Sequence, residues 1–107
     1  MLSGYRVDEV QAPEFEFLDG RGQWAQAGSL GATGSVALRH TGEGLLELID
    51  IYGNGRIAFR AEKAYSLMAY DAQGKNLGKV EFTSPQPGWY EFKPVAAGRR
   101  YVCATTP

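Results

Sequence analysis

Residues 65–104 read YSLMAYDAQGKNLGKVEFTSPQPGWYEFKPVAAGRRYVCA, and their pattern decides the fold. Short runs of aliphatic, aromatic and β-branched residues alternate with polar ones, and a turn signal separates each run from the next. Residues 71–75 (DAQGK) read as a hairpin loop in which Gly74 is free to take a positive φ. Residues 84–88 (SPQPG) break the chain again, because prolines cannot donate to a sheet ladder. Residues 96–98 (AAG) make a third turn. The spacing predicts roughly four strands joined by tight turns.

The same pattern continues toward the amino terminus. Residues 45–51 (LLELIDI) form the most apolar segment, yet neither face is clean. Leu46 and Leu48 share a side with Asp50, and Leu45, Ile49 and Ile51 share the other with Glu47, which predicts a bulge or a strand covered on both faces. Residues 53–55 (GNG) predict a hairpin turn, Asn54 and its glycines supplying positive φ angles. Beyond it Ile57 and Phe59 face one way and Arg56, Ala58 and Arg60 the other. Val36 and Leu38 alternate with Ala37 and Arg39, and residues 40–44 (HTGEG) turn the chain back. Residues 19–35 carry five glycines and little alternation, so a long irregular connection is expected there, with Trp24 plugging it onto the core. Phe15 and Phe17 point one way and Glu16 the other; Tyr5 and Val7 alternate more weakly with Arg6 and Asp8 before Pro13. Only residues 61–64 (AEKA) could form a turn of helix. The expectation is an all-β fold: one antiparallel β-sandwich over residues 1–107, immunoglobulin-like or prealbumin-like, with about nine short strands. Val36, Leu38, Ile57, Phe59, Val80, Phe82, Tyr90 and Phe92 are its expected core, each the apolar member of an alternating pair.

A chain of 107 residues can close one hydrophobic core without metal or disulfide staples. Eleven Lys and Arg against twelve Asp and Glu give no electrostatic footprint for nucleic acid or an anionic bilayer. The apolar runs are too short to span a membrane as a helix. Leu2, Ser3 and Gly4 after Met1 do not open a secretory leader, and the abrupt start also suits a piece excised from a longer multidomain protein. Cys103 is the single cysteine, so no internal disulfide is expected.

Catalytic readings find little support. One histidine, His40 in the turn at residues 40–44, and one cysteine cannot assemble the usual N/S zinc site. Cys103, in a strand, reads as a small buried hydrophobe and not as a nucleophile for His40. Glu47 and Asp50 would need a sugar-sized cleft between them to act as a glycosidase pair, and they read as strand charges. The Gly53 turn opens no helix and cradles no phosphate. Asp19 and Asp71 could serve calcium with loop carbonyls, but no calcium-loop motif surrounds them. No cofactor and no enzymatic activity are expected. Binding fits better. If Tyr90 and Phe92 turn inward, Trp89 points outward with Glu91 and Lys93, a ring and two charges of the kind that hold a sugar by stacking and by gripping its hydroxyls. The plainer reading has Trp89 cover the sandwich end or meet a neighbouring domain. Tyr52, Tyr70 and Trp24 are lesser candidates.

Residues 69–101 resemble the prealbumin-like or collagen-adhesin B-type repeats of bacterial surface proteins. The likeness rests on Asp71 and Gly74, Thr83, the run Gly88-Trp89-Tyr90-Glu91-Phe92, then Gly98 and Tyr101. It implies a stalk, and in some such repeats a Lys–Asn isopeptide bond, for which Asn54 and Asn76 are placed in turns here. A wider stretch, residues 34–105, resembles the carboxyl-terminal accessory β-sandwich modules of bacterial glycoside hydrolases. Its signal is the order of GSVALRHTGEGLLELIDIYGNGRIAFR, AYDAQGKNLGKVEF and GWYEFKPVAAGRRYVCA. A third likeness, of Tyr101-x-Cys103 to the tyrosine corner of immunoglobulin domains, lacks the second cysteine and the strand that should follow, and is set aside. The second resemblance implies a non-catalytic accessory module, extracellular or periplasmic as part of a longer protein. Its partners would be a neighbouring catalytic domain and polysaccharide. The alternative is a stalk or adhesion domain of a bacterial surface protein.

Overall fold

Alternation of apolar and polar residues folds here into eleven strands: β1 Phe15–Asp19, β2 Ala25–Ala27, β3 Leu30–Ala32, β4 Ser35–Gly42, β5 Leu45–Tyr52, β6 Ile57–Arg60, β7 Ser66–Tyr70, β8 Asn76–Lys79, β9 Thr83–Gln86, β10 Trp89–Phe92 and β11 Arg100–Ala104. The coordinates are a computed structural model that describes residues 15–42 and 44–107, so the alternation at residues 5–10 lies outside them. A six-stranded sheet runs β1-β4-β5-β11-β7-β8, and a five-stranded sheet runs β2-β3-β6-β10-β9. Every pairing is antiparallel. The fold is the expected all-β sandwich. No helix occurs among the described residues; at the AEKA stretch Ala61 N–H donates to the Gly88 carbonyl instead.

The two sheets bury one face each against the other. Val36, Leu38, Leu46, Leu48, Leu67 and Tyr101 come from the larger sheet, and Leu30, Ile57, Phe59 and Phe92 from the smaller. Full burial of each large apolar side chain stabilises by about 1.5–3 kcal/mol. Phe92 links the sheets, its ring centroid 4.8 Å from Tyr101 and 6.2 Å from Phe59. Val36, Leu38, Ile57, Phe59, Val80 and Phe92 are buried as expected, whereas Phe82 and Tyr90 are only half-buried. The last two meet edge-on at 5.8 Å on the sandwich margin, because β8 ends at Lys79 and residues 80–82 cross between sheets instead of continuing a strand. Tyr101 Oη accepts the Val95 N–H at 2.9 Å, so a buried tyrosine does tie the backbone upstream of it. Burial pushes this phenol above its ordinary pKa, with the Val95 bond opposing and Asp50 adding to the rise.

Two local readings need correction. Residues 53–55 are not a hairpin, since β5 and β6 belong to different sheets. Asn54 does not take a positive φ; its side chain accepts the Gly34 N–H at 2.8 Å and donates to Ser35 O and Asp50 Oδ1, pinning the crossover. The turn at residues 96–98 forms as expected, with Gly98 N–H donating to the Val95 carbonyl and Ala97 taking a positive φ. Residues 19–35 are less irregular than their glycines imply: β2 and β3 pair there as a short hairpin. The DAQGK hairpin does form, linking β7 to β8, with Asp71 Oδ1 accepting the Gln73 and Lys75 N–H groups.

Candidate binding face

Strand β10 lies between β6 and β9, and its alternation sets what the outer face of the smaller sheet displays. Tyr90 and Phe92 turn inward, so Trp89, Glu91 and Lys93 share the outer side. Their surroundings differ. Trp89 is half-buried opposite Arg60, and its carbonyl accepts the Ser84 hydroxyl at 2.9 Å. Lys93 is exposed. Glu91 Oε2 lies 3.0 Å from Arg56 Nε, an ion pair without the alignment of a hydrogen bond, since that nitrogen has no hydrogen-bond partner.

Long-range register adds Trp24 to this face. Gln26, Gly31, Ala58, Glu91 and Thr83 stand in one row across the five strands. Gly31 and Ala58 are small, and the Trp24 ring fills the trough: a Cβ built on Gly31 would meet its Cζ2 at 2.7 Å. Trp24 therefore lies on the outer face of the sheet and not in the core between sheets. The Arg56 guanidinium stacks over the ring at 3.7 Å, so Trp24, Arg56 and Glu91 form one continuous contact. Parity along single strands does not show that Arg60 stands beside Trp89 or that Arg56 reaches Glu91, because the pairing of β6 with β10 joins residues about thirty apart.

Behind this face a cleft of about 400 Å³ opens at the sandwich edge. Val80, Phe82, Phe92 and Val95 make its apolar floor, and Glu91 and Lys93 stand on its rim. Trp89 does not line it. Two of the three candidate binding residues thus separate an open face from a ligand-sized cleft.

The residues considered for catalysis do not converge. Glu47 and Asp50 lie on opposite sides of β5: Asp50 pairs with the inward Val36, and Glu47 is held by Arg39 and Arg100 on the outside. His40 is exposed and extended in β4, not in a turn, and Leu46 of β5 stands between it and Cys103. Cys103 is fully buried, and burial pushes its thiol up to about 11, leaving it protonated at neutral pH. Native protein at pH 8 should therefore react with a disulfide reagent such as DTNB only on the timescale of unfolding, and at once in denaturant. Rapid native reaction would contradict the buried placement. Asp19 and Asp71 accept backbone N–H groups of their own turns, and among the described residues no group of three His, Cys, Asp or Glu side chains could hold a metal. Asn76 caps Gly78 N–H, and Asn54 is committed as described. Tyr52 is exposed at the end of β5, and Tyr70 lies beneath the Arg100 guanidinium at 4.6 Å. No family model matches the chain, and no curated protein or solved structure matches it.

Proposed function

We propose that the chain is a non-catalytic accessory module of a carbohydrate-active enzyme, packed on a neighbouring catalytic domain and able to meet glycan through the outer side of β10. One observation carries this reading: Trp89, the Glu91–Arg56 pair, Arg60 and Lys93 share the outer face of the smaller sheet with a second tryptophan, Trp24, over which Arg56 stacks. A ring of this kind presents a negative π-face to the polarised C–H groups of a sugar, and the flanking charges suit its hydroxyls.

The test is affinity electrophoresis of the isolated chain in gels containing soluble polysaccharides, with Trp89→Ala as the probe. Because Trp89 is half-buried, the substitution is expected to lower stability by only about 1–2 kcal/mol. Retardation by the glycan should disappear. A chain that no polysaccharide retards, with Trp89→Ala indistinguishable from it, would refute the glycan contact and leave the stalk reading in its place.

A further inference from the structure

The outer face of the six-stranded sheet does not have the composition of a surface that meets water. Solvent-facing strands of a sandwich alternate apolar-in with polar-out. Here the outward row Phe17–Ala37–Ile49–Arg100–Tyr70 crosses five strands, and the row Phe15–Arg39–Glu47–Val102–Met68 runs beside it. Phe15 and Phe17 on β1 are 55% and 58% exposed, and Ile51, two strands away on β5, is 43% exposed. Glu47, by contrast, is the one charged residue buried among the described residues, at 2%. Its Oε1 accepts from Arg39 Nη2 at 2.6 Å and its Oε2 from Arg100 Nη1 at 3.0 Å. The Glu47 carboxylate is already paired and out of water, whereas Arg39 and Arg100 keep about half their exposure, so a partner that covers the face must supply an acceptor for them.

We infer that this face, and not the β10 patch, is where the neighbouring folded domain of the same polypeptide docks. The inference rests on the accessory-module reading and assigns its two contacts to two opposite faces. Charge and area choose the occupant. Arg39, Arg100 and Lys79, the last paired with Met68 on the sixth strand, outnumber Glu47 and Asp19 and leave the face with an unbalanced positive charge. A second copy laid face to face would set like charges against each other, whereas a domain with an apolar centre and a carboxylate opposite Arg39 and Arg100 complements it. Six strands about 4.8 Å apart and about five residues deep cover on the order of 500 Å² per partner. Doubled, that falls short of the roughly 1,200–2,000 Å² of free-standing complexes and inside the roughly 600–1,500 Å² of contacts between tethered domains.

Hydroxyl-radical footprinting of the isolated chain and of the protein expressed from its complete reading frame tests this. Oxidation of Phe15, Phe17 and Ile51, about half-exposed in the isolated chain, should fall severalfold in the complete protein as the docked domain takes them out of water. Trp89 should be oxidised equally in both. The Phe15→Ser/Phe17→Ser variant should restore Ile51 oxidation in the complete protein, while the isolated chain stays cooperatively folded with a modestly lowered melting temperature. Protection of Trp89 in place of Phe17 would overturn the assignment of faces and keep the accessory reading. Protection that grows with concentration in the isolated chain would make a second copy the occupant. A rise in Phe17 oxidation on deleting residues 1–14 from the isolated chain would make that segment the occupant. Either result overturns the inference, and a reading frame that encodes no second domain overturns both readings.

Discussion

Phe92→Ala is expected to lower the unfolding free energy by about 3–5 kcal/mol, the range for truncating a buried aromatic. The ring is 3% exposed and is the bridge between sheets, in contact with Phe59 of its own sheet and Tyr101 of the other. Removing it leaves a hole bounded by strands on both sides. Neither sheet can close over that hole without moving its ladder, so the cavity persists and the loss stays near the upper end. A domain of this size has about 5–15 kcal/mol to lose, so the variant sits near the edge of folding at room temperature. Urea denaturation, with the midpoint lowered and the slope unchanged, is the measurement. A loss under about 1 kcal/mol would mean that the sheets are not packed through this ring.

The same ring marks what the sequence could say. Period-two alternation at Ile57/Phe59, Val36/Leu38 and Tyr90/Phe92 is a local property, and it placed these strands and their inward faces correctly. Which strand pairs with which is not local. The GNG turn reads as a hairpin by composition, but the chain uses it to change sheets, and what holds it is Asn54 reaching to Gly34 and Ser35, about twenty residues away. The short hairpin of β2 and β3 was hidden for a related reason. Its strands are only three residues long and sit in a glycine-rich stretch, so no alternation can accumulate, and Gly31 is explained only by the Trp24 ring above it. The candidate face divides in the same way. Trp89, Glu91 and Lys93 follow from parity along one strand, whereas Trp24, Arg56 and Arg60 arrive by cross-strand register. Phe15 and Phe17 show the limit of parity itself: it put both on one side of β1 but could not say that this side faces away from the core.

Glu47 explains why the apolar segment at residues 45–51 has no clean face, and it supplies the second large expected effect. The carboxylate is buried on the outer side of β5 beneath two guanidiniums, whose side chains are 55% and 41% exposed. Glu47→Gln removes the charge but leaves both arginines able to turn into water, so the expected loss is only about 1–2 kcal/mol. Glu47→Lys is different in kind. It places an ammonium at a site with almost no solvent access and brings a third cation against Arg39 and Arg100. The desolvation is then uncompensated and the Coulomb term reverses sign, for an expected loss of about 3–5 kcal/mol. Exchanging the pair as Arg39→Glu/Glu47→Lys restores an opposite charge at contact distance and should recover more than about 1 kcal/mol of that loss, which a double-mutant cycle in urea would read. If the lysine variant instead stays within about 1 kcal/mol of the parent, the site admits water. In that case Glu47 is an ordinary surface charge, and the outer face of the larger sheet loses the paired centre that makes it suited to being covered.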